Sequence, residues 1–99
     1  MDDSVAEHSR PLRILIADDS DSDRLILKTL LKRLGHEVLD VANGLDAVSV
    51  FQREAPDLVL LDALMPVMDG MEAARQIKLL AGERLVPLIF LTSLSEAGA

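Results

Sequence analysis

Asp62 closes an apolar run, Leu58 to Leu61, and is followed at once by the turn-forming stretch Ala63 to Gly70. Such a run reads as a strand buried on both faces, the kind found in parallel sheets. Its carboxylate then emerges at the strand's carboxyl end, where open α/β sheets place their ligand sites. A second group of acids, Asp18, Asp19, Asp21 and Asp23, follows another apolar run from Leu12 to Ala17. Two strands thus deliver carboxylates to what could be one place. Gathered carboxylates repel one another, so the arrangement calls for a cation.

Composition narrows the chemistry further. The chain has 99 residues, 49% of them apolar, enough for one small domain with a core. A formal charge of -7 argues against general binding to nucleic acid or an acidic membrane surface, which needs a face of Lys and Arg to neutralise phosphates. With no cysteine, disulfides, thiolate metal sites and thiol chemistry are excluded. The opening residues are acidic and polar, lacking the basic and apolar regions of a leader, and no later apolar run approaches the roughly 20 residues of a membrane span. These features predict a soluble cytoplasmic protein with no membrane partner. Residues 1 to 11 read as a flexible tail, and His8 within it has no partner at ligand spacing.

The elements that must position the acids alternate strand and helix. Arg13 to Ala17 reads as the first strand, and Ser22 to Leu34 as a helix with an inward stripe at positions 26, 27, 30, 31 and 34, opened by Ser20, Asp21 or Ser22. Gly35 is placed to end it in the left-handed conformation. Glu37 to Val41 gives a second strand, Asn43-Gly44 a turn, and Leu45 to Arg53 a second helix with Leu45, Val48 and Phe51 on one side. Pro56 stops it. After the Asp62 strand, a third helix runs from about Met71 to Leu80, its inner face Met71, Ala74 and Ile77. Asp69-Gly70 reads as turn chemistry, and Met65, Met68 and Met71 as packing residues. Leu88 to Leu91 is a fourth strand, with Thr92 and Ser93 beyond its end. The order βαβαβαβ with short connections predicts a mainly parallel sheet, right-handed crossovers and helices on both faces.

Asp18-Asp19 after the first strand, Asp62 within Asp-x-x-Met-Pro-x-Met-Asp-Gly after the third, and Leu91-Thr92-Ser93 after the fourth together resemble the receiver domains of bacterial two-component response regulators. The resemblance covers residues 12 to about 97. It implies a flavodoxin-like α/β fold with strand order 2-1-3-4-5, of which 12–99 would supply 2-1-3-4 without the fifth strand and helix. It implies a phosphoacceptor in a phosphorelay, not an enzyme in the usual sense, that takes a phosphoryl group on Asp62 from a histidine kinase or phosphotransfer protein with Mg²⁺. Asp19 and Asp62 would be direct ligands, Asp18 would act through water, and the Leu64 backbone carbonyl would complete the set. Thr92 matches the switch hydroxyl, and Ser93 is small, as access to Asp62 requires. Leu64 and Leu94 occupy positions flanking the hydrolytic water's path, so the resemblance implies a long-lived phosphoryl group.

Two departures and three other readings accompany it. The family's phosphate-contacting lysine and the aromatic residue that relays the movement of Thr92 are missing with the fifth strand and helix, and Lys28, Lys32 and Lys78 do not sit at strand ends. A fourth strand left as an open edge would invite a second copy or another polypeptide to complete the domain. A non-phosphorylated pseudo-receiver, acting as an interaction or dimerisation scaffold, is the main alternative. A haloacid-dehalogenase-like phosphotransferase reading of Asp19-Ser20-Asp21 fits poorly, because Asp23 replaces that family's Thr or Val and the motif around Asp62 goes unexplained. A calcium loop on Asp19, Asp21 and Asp23 fails at Arg24, where glycine is expected, and at Leu30, where an acid is needed. Leu25, among Arg24, Lys28 and Lys32, offers an exposed docking contact for a helical partner.

Overall fold

A computed structural model describes residues 10–91. Four strands, β1 (Arg13–Ala17), β2 (Glu37–Val41), β3 (Leu58–Asp62) and β4 (Leu88–Leu91), alternate with three helices, α1 (Asp21–Arg33), α2 (Gly44–Glu54) and α3 (Gly70–Ala81). All strand pairs are parallel, and the order is β2-β1-β3-β4. The predicted doubly covered sheet with strand order 2-1-3-4 is therefore the observed one.

Burial follows from strand position. In the central strands Ile14 to Ala17 and Val59 to Leu61 are buried on both faces, whereas β2 is only half-buried. Removing a side chain such as Leu15 or Ile16 fully from water contributes about 2 kcal/mol. One face packs Leu15, Ala17, Val59 and Leu61 against Ala47, Val50 and Phe51 of α2 and Ala73 and Ile77 of α3. The other sets Ile14, Ile16 and Leu60 against Leu27 and Leu31 of α1.

Helix ends obey local chemistry. Ser20, Asn43 and Asp69 cap the three helices, each side chain accepting the amide three residues on, from Asp23, Asp46 and Glu72. Asp69-Gly70 is thus a helix start, in keeping with its structural reading. At the end of α1, Gly35 has φ +94°, its N–H reaches the Lys32 carbonyl, and the His36 N–H reaches that of Leu31. This paired closure needs a residue tolerant of positive φ, as the sequence predicts.

The inward faces differ from the expected stripes. Of the expected α1 stripe only Leu27 and Leu31 pack on the sheet's apolar core, while Ile26, Leu30 and Leu34 are 58%, 51% and 66% exposed. The five-residue stripe is wider than one helix-on-sheet contact, and its other flank stays largely exposed. On α2, Leu45 is exposed and Ala47 and Val50 take its place; on α3, Met71 is exposed and Ala73 is buried. Small residues line these inner faces because α2 and α3 pack closely on the sheet and on each other, leaving the larger side chains at the margins. β4 pairs only with β3 among the described residues, and its Ile89 and Phe90 are exposed.

Candidate functional site

The register of the sheet assembles the acids. Ala17 lies opposite Leu61, so Asp18 and Asp62 leave adjacent strands at the same level. Asp19 follows, and carboxylate oxygens of Asp18, Asp19 and Asp62 lie within 4.8 Å of one another. Asp18 and Asp62 are buried at 5% and 6% exposure, while Asp19 is exposed. Asp21 and Asp23 instead belong to the first turn of α1, where they complement the helix dipole. The gathered set is therefore 18, 19 and 62, and neither the alternation of Asp19, Asp21 and Asp23 nor the Asp19–Asp21 pair.

Each buried acid shapes its own turn. The Ser20 N–H donates to Asp18 Oδ1 at 2.9 Å, and the Leu64 N–H donates to Asp62 Oδ1 at 3.1 Å, two matching bonds from an amide two residues downstream. Burial raises the Asp18 carboxyl above its usual range; the Ser20 amide opposes this, the nearby Asp23 and Asp19 charges reinforce it, and Arg24 opposes it.

The loop after Asp62 is held at both ends. The Gly70 N–H donates to the Ala63 carbonyl at 2.9 Å, and the Gly44 N–H to the Met68 carbonyl at 3.1 Å. A Cβ on Gly70 would stand 2.2 Å from the Asp62 carbonyl oxygen, and one on Gly44 would stand 2.1 Å from that of Met68. Only glycine allows either approach. Between these anchors Val67 adopts φ +70°, unusual for a β-branched residue, with the Met68 N–H donating back to Pro66 at 2.7 Å. Met65 and Met68 pack on the core cluster, as expected of packing residues.

Leu64 lies in this loop, 65% exposed. Leu91, the last described residue, stands opposite Asp62. Thr92, Ser93 and Leu94, like His8, lie outside the described residues. Among the described residues no lysine reaches the acids: Lys28 pairs with Asp40 at 3.2 Å, and Lys32 and Lys78 sit at exposed helix positions.

Sequence reasoning missed the role of Arg24, naming it only beside Leu25 and as the residue where a calcium loop needs glycine. Its side chain is 17% exposed and bonds to the Asp18 carbonyl, Asp40 and Asp21. The spacing of Asp21 and Arg24 on one helix face was a visible signal; the reach to Asp40 depends on the β1–β2 pairing and was not.

Oxygen-only donors at this spacing suit a hard cation. Around Mg²⁺, oxygens at about 2.1 Å stand roughly 3 to 4 Å apart, so a modest closing of the three carboxylates would suffice. The buried acid and its raised carboxyl also fit a site completed by positive charge.

Comparison with known proteins agrees with this geometry. The family model of the response regulator receiver domain matches residues 14–98. The chain is 43% identical over 84 residues to the probable transcriptional regulator ycf27 of Porphyridium aerugineum, covering 85% of this chain and 34% of that protein. It is 41% identical over 81 residues to the protein PilH of Pseudomonas aeruginosa, covering 82% and 67%. The chain thus spans about a third of the ycf27 relatives' length. Among solved structures, the receiver domain of the sensor histidine kinase PA1611 from Pseudomonas aeruginosa, described with a magnesium ion in its active site cleft, superposes with a TM-score of 0.79 at 34% identity, covering 90% of this chain and 73% of that one. The chemotaxis protein CheY4 of Vibrio cholerae gives 0.77 at 27% identity, covering 90% and 77%. The parallel sheet, the acids at its carboxyl edge and these matches together establish that the chain belongs to the response regulator receiver domain family of two-component signalling.

Proposed function

We propose that this chain is a phosphoacceptor whose Asp62 takes a phosphoryl group from a histidine kinase or phosphotransfer protein. The observation that carries the reading is the convergence of Asp18, Asp19 and Asp62 oxygens within 4.8 Å at the ends of β1 and β3. An Asp62 carboxylate oxygen attacks phosphorus, the phosphorus–nitrogen bond of a phosphohistidine or the phosphorus–oxygen bond of a small donor breaks, and the leaving group keeps the electron pair. Asp62 suits the role because the bond from the Leu64 N–H orients it at a strand end. Asp19 and Asp62 would hold Mg²⁺ directly, with Asp18 acting through water and the Leu64 carbonyl completing the protein's share. When bound, Mg²⁺ supplies the positive charge that lets a dianionic phosphoryl group approach three acids.

Thr92 would donate its hydroxyl to a phosphoryl oxygen, and Ser93 would leave access open. Leu64 and Leu94 would keep the hydrolytic water out, giving a long-lived phosphoryl group; the exposed Leu64 side chain two residues beyond Asp62 supports its share of that role. The same reading places the chain in the cytoplasm. Among the described residues no helix is long and apolar enough to cross a membrane. A second copy or a completing polypeptide would meet the molecule at the β4 edge and the Ile26, Leu30 and Leu34 strip, where apolar surface stands open among the described residues.

Intact mass after incubation with acetyl phosphate tests the reading. The parent with Mg²⁺ should gain one base-labile phosphoryl group, and the Asp62→Asn variant or a chelated sample should gain none. Equal labelling of the parent and Asp62→Asn, or no labelling of the parent, would overturn it and leave a pseudo-receiver scaffold as the alternative.

A further inference from the structure

We propose that Arg24 is a positioning residue that fixes the geometry of the acid pocket through the main chain of Asp18. The inference rests on the phosphoacceptor reading above. It begins with three bonds from one guanidinium: Nη1 to the Asp18 carbonyl oxygen at 2.7 Å, Nε to Asp40 Oδ2 at 3.0 Å, and Nη2 to Asp21 Oδ1 at 2.7 Å. A planar fork with fixed donors can hold three acceptors in three directions at once, which an ammonium on a flexible stem does less well. Arg24 thereby ties the turn after β1 to the first turn of α1 and to β2.

The bond to the Asp18 carbonyl matters most for the pocket. That oxygen belongs to the peptide plane joining Asp18 to Asp19, so holding it sets the direction in which the Asp19 side chain leaves the backbone. The Ser20 N–H already orients the Asp18 carboxylate from the other side of the same turn. Two bonds on one turn therefore aim two of the three acids. Lys28 supports the brace by pairing with the other oxygen of Asp40 at 3.2 Å. Hydrogen bonds from Lys28 and Arg24 overcome the effect of burial and keep the Asp40 carboxyl below its usual range, so the brace stays charged at neutral pH.

Charge and geometry predict opposite outcomes when Arg24 is changed. A guanidinium near the pocket repels a cation, so deleting its charge would by itself tighten Mg²⁺ binding. If Arg24 positions the acids, deleting it weakens binding despite the lost repulsion. Supporting residues around metal ligands typically change metal affinity about 10- to 100-fold.

The experiment is a Mg²⁺ titration, by calorimetry or amide resonance shifts, of the parent, Arg24→Gln, Arg24→Lys and Asp40→Asn, with circular dichroism confirming the fold of each without Mg²⁺. The expected result is a Kd raised about tenfold in Arg24→Gln, raised several-fold in Arg24→Lys although the charge is kept, and raised less in Asp40→Asn, which frees one arm of the brace. Affinity equal to or tighter than the parent's in folded Arg24→Gln and Arg24→Lys would overturn the proposal while leaving the phosphoacceptor reading standing. If Arg24→Gln does not fold, Arg24→Lys and Asp40→Asn decide by the same criterion. A parent that binds no Mg²⁺ would overturn both this inference and the reading it rests on.

Discussion

At the scale of the residue, Asp18 shows what the pocket costs the fold. Burial raises its carboxyl above the usual range, so ionisation opposes folding at neutral pH. The sign follows from proton linkage: between the unfolded and folded titration ranges the native state binds more protons, so stability falls as pH rises through that window and stays reduced above it. Asp18→Asn keeps an oxygen to accept the Ser20 N–H and removes the charge. Without divalent cations at neutral pH its Tm should exceed the parent's. The difference should shrink below the ordinary carboxyl range, and saturating Mg²⁺ should favour the parent, since a ligand that binds only the native state stabilises it. Thermal melts across pH, with and without Mg²⁺, check this; a variant less stable than the parent in Mg²⁺-free neutral buffer would refute it. Asp18, Asp19 and Asp62 were legible in the sequence because each follows an apolar run, and the strand-end rule brings them together. Arg24 was not, because its importance lies in a carbonyl and in a carboxylate sixteen residues away that strand pairing brings near.

At the scale of the element, the strands were legible almost to the residue, since β-branched and leucine-rich runs bounded by polar residues allow little freedom. Helix faces were less so. Large side chains mark a stripe, yet the residues nearest the sheet on α2 and α3 include Ala47 and Ala73, which a reading weighted by size passes over. Leu45 and Met71, expected inside, stay at the margins. Gly70 was legible as a turn residue but not as a close contact: it starts α3 against the carbonyl of Asp62. Gly70→Ala should therefore cost about 2 kcal/mol through steric overpacking and also weaken Mg²⁺ binding, because the clash falls on the residue that bears the pocket's central acid. Chemical denaturation read beside a Mg²⁺ titration checks both effects, and a variant matching the parent in the two would show that the strand end yields freely.

At the scale of the whole molecule, the sheet's two faces are unequally covered: α2 and α3 share one, and α1 alone stands on the other among the described residues. The composition pointed to a cation and away from nucleic acid, and the three acids give that bias a location. Their placement depends on β1 and β3 being adjacent, which the family resemblance implies but no local segment contains. The central claim is that, of seventeen acidic residues, fold and register single out one to carry a phosphoryl group. Borohydride reduction of the acetyl-phosphate-treated parent, followed by peptide sequencing, reads this directly, because an aspartyl phosphate is reduced to homoserine where it formed. Homoserine at position 62, dependent on Mg²⁺, is the predicted result; homoserine at position 18 or 19, or none at all, would contradict it.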